Sequence, residues 1–395
     1  MDEIINLFTD NLTLIFYLTI ILLVYINRKK FDIQARIIAL YRTKVGLKLM
    51  ENTASKYREF IKILGYCGVG IGFIGMVLIS YTFANNLYKL IADSTAQSEV
   101  ALVLPGVKVP GSPIFIPLIM GWVALFIVIA VHEFSHGIVA LANNLRVKSS
   151  GIVFFGPLMG AFVEPDEKKL VKQDPIVQYS LFAAGPFSNI LLAVIIILAS
   201  SALILPVFDK ISQPSGFSIE TILPDTPASS AGLTPGLTFL QVNSQPANNF
   251  SVFFQELQNI KPNQTITLTT LQKTYTILTV AHPDNQSQGY IGVQGFENEY
   301  TLHPSFSWLQ PIHPIELILF IAEFTTLTAI LSLGIGLANL LPLGPTDGGR
   351  MLQIAFTSIY GTKKGNNYWK QVSVFFLVIL LANIALGLAR SFGLF

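Results

Sequence analysis

The sequence predicts a polytopic α-helical membrane protein, and three observations carry that fold class. Of its 395 residues, 52% are hydrophobic and only 12% are charged, about half the charge of an ordinary soluble domain. Several apolar runs exceed about 18 residues, enough to cross roughly 30 Å of hydrocarbon. Between the fourth and fifth of these runs the composition turns abruptly to Asn, Gln, Ser, Thr and Pro. The expectation is about six transmembrane helices with a β-rich insert. A net charge of +2 gives no field to gather nucleic acid, so no nucleic-acid partner is expected. The single cysteine, Cys67, excludes an internal disulfide and any paired-cysteine metal site.

The spans read as Leu12–Ile26, Ile63–Phe83, Ile114–Leu141, Val177–Val207, Ile315–Leu341 and Val372–Leu388. The first is short unless Ile4–Phe8 joins it, and Asp10 blurs its outer boundary. Positive charge follows this run rather than preceding it, as in a retained anchor rather than a cleaved leader. Lysine and arginine mark the sides of the membrane. Asn27–Lys62 holds ten of them and the loop after the third span five, against two in Ala84–Ser112 and three in Phe208–Pro314. Both termini and the insert are therefore expected outside, and the basic segments inside. The sequons at Asn11, Asn249, Asn263 and Asn285 all fall on the outer side of this scheme. Asn27–Lys62 itself reads as a basic amphipathic helix lying on the anionic surface of the lipid bilayer.

Within Phe208–Pro314, short alternating runs at Thr265–Leu268 and Tyr275–Val280 predict strands. Turns are expected at Pro224-Asp225, Thr234-Pro235-Gly236 and Lys261-Pro262-Asn263. Gly151–Pro165 is apolar but too short to span, and Gly151, Gly156, Pro157 and Gly160 disfavour a continuous helix.

The strongest chemical pattern is His132-Glu133-Phe134-Ser135-His136. On a helix, at 100° per residue, the histidines stand about 40° apart with Glu133 inside the same arc. One face then offers two imidazoles to Zn2+ and a carboxylate beside its open position, where Glu133 can take a proton from an attacking water. The motif closes an apolar run, where ionisable groups are costly and usually functional. His282, His303 and His313 fall on the opposite side of the membrane scheme and make poor third ligands. Asn339-Leu-Leu-Pro-Leu-Gly-Pro-Thr-Asp347-Gly-Gly, at the cytoplasmic end of the fifth span, holds an acid in a rigid turn at the depth of the histidines. Asp347 is the expected third ligand.

These two motifs resemble those of the site-2 protease family of intramembrane metalloproteases. Ala184-Gly-Pro-Phe-Ser-Asn189 resembles the family's G-P-x-x-N segment, Gly151–Pro165 its membrane-embedded β-hairpin, and the insert its PDZ domain. Leu223–Leu233 is similar to the S-P-A-x-x-A-G-L signature of PDZ domains. Thr346 stands where the family commonly has Leu. The resemblance implies His132, His136 and Asp347 as zinc ligands, Glu133 as general base, and Asn189 near the metal as donor to the substrate or oxyanion. It also implies Asn339 as an orienting residue, and Gly216 and Phe217 as part of a peptide-binding loop and strand.

The organisation implied is 1–113, two accessory transmembrane helices and a basic cytoplasmic segment; 114–208, a protease core with hairpin 151–165; 209–300, a PDZ-like domain; and 315–395, the rest of the core. The function implied is cleavage of single-span membrane proteins near the cytoplasmic side of the cell membrane, after a site-1-type protease has cut outside. An exposed hairpin edge would template the unwound substrate. Two alternatives stand beside this reading. One is a non-catalytic PDZ-bearing adaptor; the other is a membrane zincin with Glu164 or Glu167 as third ligand. Glu316 and Glu323, in the fifth span, suggest a polar passage.

Overall fold

The computed structural model describes residues 11–34, 37–93, 96, 98, 100, 103–110, 112, 114–283 and 285–392. Ile4–Phe8 and Asp10 lie outside the described residues. The chain forms two compact units, Met1–Leu198 with Glu323–Phe395, and Ala199–Ala322.

Five helices among the described residues are long and apolar enough to cross a membrane: Arg58–Ala92, Leu118–Ala142, Pro175–Ile211, Pro314–Asn339 and Thr362–Ser391. The expected first span forms a helix, α1, over Leu12–Ile26. At 1.5 Å per residue it reaches only about 22 Å, short of the hydrocarbon thickness. Six helices of spanning length are therefore not found among the described residues.

In the larger unit, β1 (Asp32–Gln34) and β2 (Ile38–Thr43) follow α1, and then come α2 (Leu47–Lys56) and α3 (Arg58–Ala92). This corrects the single surface helix expected over Asn27–Lys62. Ile38, Ala39, Leu40 and Tyr41 pair instead with Val153–Phe155 and Ile152, so the backbone groups of this segment are satisfied by a sheet. Next come α4 (Leu118–Ala142), β3 (Val147–Phe155) and β4 (Leu158–Pro165). The hairpin is present where it was expected, turning at Gly156 with φ 59°. The antiparallel sheet runs β1-β2-β3-β4, leaving the outer side of β4 without a neighbouring strand among the described residues.

Helix α5 (Pro175–Ala199) continues through a π-turn at Ser200–Ile204. The unit is completed by α8 (Pro314–Asn339, from Glu323 on), α9 (Asp347–Tyr360) and α10 (Thr362–Ser391). Helix α3 packs directly against the elements that build the site. A Cβ on Gly65, Gly68, Gly72 or Gly75 would lie 3.3 Å or less from Ser180, Phe187, Met351 and Leu340 respectively. A stripe of small residues is what allows such close approach in lipid. Buried Asn86 donates to Asn383 Oδ1 at 2.8 Å, tying α3 to α10.

The second unit is β-rich. Its strands are β5 (Ser212–Ile222), β6 (Thr238–Phe239), β7 (Gln241–Val242), β8 (Gln245–Pro246), β9 (Thr265–Thr269), β10 (Thr274–Leu278), β11 (Val280–Ala281), β12 (Gly289–Tyr290) and β13 (Val293–Leu302). They form sheets ordered β13-β5-β6, β10-β9-β7-β8 and β11-β12. Two short helices accompany them, α6 (Pro227–Ser230) and α7 (Phe250–Asn259). Each expected turn contains a residue at positive φ: Asp225, Gly236 and Asn263. Phe217, Phe239 and Phe253 are fully buried at the centre of this unit's core with Ile219, Ile266 and Leu268.

Candidate metal centre

Helix α4 ends two turns beyond His136, and its motif faces inward because the apolar run around it is partly buried against α3, α5 and α8. His132 and His136 lie on one face with ring centroids 4.9 Å apart, both less than a tenth exposed. Asp347 arrives from a separate element. Pro342 and Pro345 end α8 and shape a turn, and Thr346 then caps α9 by accepting from Gly349 N at 3.2 Å. The Thr346 hydroxyl also donates to Leu341 O at 2.6 Å, pinning the turn. This explains a threonine where the resembled family commonly has Leu.

The two glycines after Asp347 are required by close approach. A Cβ on Gly348 would lie 2.2 Å from Leu340 O, and one on Gly349 1.5 Å from Leu343 O. With the turn closed this tightly, Asp347 Oδ2 lies 3.1 Å from His132 Nε2 and 3.4 Å from His136 Nε2. One ligand atom from each residue falls within 4.8 Å of the others.

The groups behind the histidines fit a bound cation. His136 Nδ1 is 2.7 Å from Leu181 O. A carbonyl only accepts, so a proton sits on Nδ1, and Nε2 is the nitrogen turned toward Asp347 and available to an ion. His132 Nδ1 is 3.2 Å from the Asn189 amide nitrogen, while buried Asn189 Oδ1 has no partner. Turning the amide over lets Oδ1 accept from His132 Nδ1–H, which satisfies the orphaned oxygen and frees Nε2 as a ligand. Two imidazole nitrogens and a carboxylate are the donor set zinc takes. The space for an ion is kept by Gly185, where a Cβ would lie 2.5 Å from Nε2 of both histidines. In the sequence Gly185 stands only as the first residue of the G-P-x-x-N segment. Its place under the ligand atoms is decided by how α5 crosses α4, which no local pattern encodes.

Glu133 points to the edge of the sheet, where its Oε2 accepts from Val163 N at 2.9 Å. Asn339 donates to Ile335 O on its own helix at 3.1 Å and makes no hydrogen bond to Asp347. Glu164 accepts from Ser149 Oγ at 2.8 Å and from Arg42 Nε at 3.2 Å. These partners hold its carboxyl below the usual range. Glu167 is exposed, 3.9 Å from Arg350. Neither glutamate joins the ligand group, which corrects the alternative that made one of them the third ligand. His282, His303 and His313 lie in the second unit, and His313 sits 3.5 Å from exposed Glu316.

Gly216 and Phe217, expected in a peptide-binding loop and strand, are found in a strand of the second unit's core. Both lie in β5, which β13 pairs on one side, at Glu299 and Asn298, and β6 on the other, at Phe239. The Phe217 ring stacks on Phe253 with centroids 5.0 Å apart, inside the core. At Phe217 the strand is therefore paired on both sides, whereas Gly216 is paired with β13 alone.

Comparison with known proteins matches this architecture. The chain is 30% identical over 266 residues to the uncharacterized protein MJ0971 of Methanocaldococcus jannaschii, a match covering 66% of this chain and 67% of that relative. The model of Peptidase family M50 matches residues 120–380, a stretch that holds both histidines, Glu133, Asn189 and Asp347. The chain belongs to Peptidase family M50, the site-2 protease family of metallopeptidases.

Proposed function

We propose that this protein is a zinc-dependent intramembrane endopeptidase that cleaves the apolar segments of single-span membrane proteins. The observation that carries the reading is the convergence of His132, His136 and Asp347 beside a carboxylate, Glu133, at the open edge of a strand. His132 Nε2, His136 Nε2 and the Asp347 carboxylate would hold the zinc, which supplies Lewis acidity and lowers the pKa of a water. Glu133 takes a proton from the water as its oxygen attacks the scissile carbonyl. It returns that proton to the amide nitrogen as the C–N bond breaks, leaving a carboxylic acid and an amine. Asn189, once its Oδ1 holds His132, presents its NH2 group to the developing oxyanion.

A helical substrate hides its carbonyls in its own hydrogen bonds and must unwind to be cut. The unpaired side of β4 supports the reading that the unwound segment adds there as a further strand. The lysine and arginine distribution supports an active site toward the cytoplasmic side and residues 209–300 outside. There they would act as a PDZ-like module on substrates already shortened by a site-1-type protease.

The test is zinc content and cleavage of single-span substrates by the purified chain in nanodiscs. Glu133→Gln is expected to retain about one zinc per chain and lose cleavage by about 100-fold or more. Asp347→Asn is expected to bind zinc weakly. Full zinc and full activity in Asp347→Asn would overturn the ligand assignment.

A further inference from the structure

The general base and the edge of β4 share one hydrogen bond. Val163 pairs with Ser150 across the hairpin, yet its N–H donates to Glu133 Oε2 at 2.9 Å rather than into the ladder. That N–H therefore points to the side of β4 that no strand occupies among the described residues, beside α4, whose Trp122, Phe126 and Ile129 lie against Met159, Gly160 and Ala161. By the two-residue alternation of a strand, the backbone N–H and C=O groups of Ala161 and Met159 face the same side. Pro165, two residues further on, has no N–H, so Val163 is the last outward donor at that end of β4. Its side chain fixes the position: the Val163 Cγ1 would be 3.2 Å from a Cβ on Gly137, one helical turn beyond Glu133. The donor thus stands against the helix that carries the base.

We propose that Glu133 and the substrate compete for the Val163 N–H, so that arrival of the substrate strand releases the base. This rests on the proposed function above. In the free protein the carboxylate occupies the donor that an added strand needs for its own carbonyl. As the strand zips along Met159, Ala161 and Val163, its carbonyl replaces Glu133 Oε2, and the freed carboxylate turns to the attacking water. Val163 is in this sense a positioning residue, acting through its backbone. The device restrains the base until a peptide in extended form, the only form that can be cut, lies on the edge. A folded transmembrane helix has no free carbonyls to make the exchange.

The exchange is testable without turnover, in the full chain held in nanodiscs with metal removed by chelation. The probe is a labelled single-span peptide of about 25 residues with an Asn-Gly pair loosening its apolar segment. Glu133→Ala, which vacates the donor, is expected to bind the peptide about tenfold more tightly than wild type. Glu133→Gln keeps a weaker acceptor and is expected to fall between the two. Val163→Pro deletes the N–H without removing a ladder bond, and in that background Glu133→Ala is expected to give no gain. A gain that persists with Val163→Pro would mean removal of charge, not competition for the donor, and would overturn the proposal.

Hydrogen exchange at the Val163 amide is an independent reading if the proline variant does not fold. The amide is expected to be protected in wild type, open in Glu133→Ala, and protected again when the peptide is added. A bound peptide that leaves this amide open overturns the proposal. Cleavage by the zinc-loaded wild type is scored separately. A chain that cleaves with the amide unprotected loses the competition and keeps the function; one that shows the exchange but never cleaves keeps the competition and loses the function.

Discussion

Strands β4 and β5 both lie in antiparallel sheets, yet β4 has a neighbour on one side and β5 on both. On β4 one outward backbone donor, the Val163 N–H, meets a side chain, Glu133, rather than a strand. On β5 the outward backbone groups meet β13 along the strand and β6 at Phe217 and Ser218, and the Phe217 side chain is sealed in an aromatic core. Open edges invite strand addition, and proteins usually cover them. Where one is left beside a candidate ligand set such as His132, His136 and Asp347, it is the place to expect a substrate. Where both sides are filled, as at Phe217, the side chain serves the core. The same short apolar signature therefore means opposite things according to what flanks the strand.

The largest expected effect removes the metal centre and leaves both sheets intact. Gly185→Ala puts a methyl group 2.5 Å from Nε2 of each histidine. Zinc is expected to fall from about one per chain to near none, with loss of cleavage. Stoichiometric zinc in that variant would show that α5 can withdraw, and that the open edge sits beside a looser site. Next is Phe217→Ala, expected to destabilise residues 199–322 by about 3–5 kcal/mol, read by hydrogen exchange or pulse proteolysis of the full chain. Unchanged stability with lost peptide capture would return Phe217 to a docking role and erase the contrast with β4.

Ala161→Pro is a smaller, directed insult. It deletes an outward donor of β4 while sparing the bonds to β3. A fall of about tenfold in kcat/KM is expected, with zinc unchanged. No change would mean that substrate does not add along this edge.

The smallest effect concerns the salt link that braces the sheet. Arg42 on β2 joins Asp32 on β1 and Glu164 on β4. Hydrogen bonding to Ser149 and to Arg42 lowers the Glu164 pKa. Its folded carboxyl therefore titrates below the unfolded range of about 4.3. The contribution is present above that range and is lost as pH falls through the lowered value. Glu164→Gln should abolish this acid-side dependence of the thermal midpoint and shift stability only slightly at pH 7, because the pair is solvated.

The ligand set was legible in the sequence because its parts are local. The helical period puts His132, Glu133 and His136 on one face, and prolines and glycines announce the turn that holds Asp347. The hairpin was legible too, from length and glycine placement. The first 113 residues were read less well. Ile38–Thr43 is short, and its strand forms only because β3 offers an edge. The glycines of α3 were visible, but what they pack against was not. Asn189 was found by resemblance, and its contact with His132 came from the crossing of two helices.

What the sequence determined by itself is the chemistry: which side chains can bind a cation, which can move a proton, and which segments avoid water. These follow from residue type and from periods of 2 and 3.6, over stretches shorter than about ten residues. Tertiary structure alone decided the couplings: Gly185 beneath two imidazoles, Leu181 O behind His136, the Val163 N–H on Glu133, and the pairing of Phe217 on both sides. Each joins atoms from elements distant in the chain, and their register is set by how apolar surfaces pack and how backbone donors find acceptors. Local pattern does not record that.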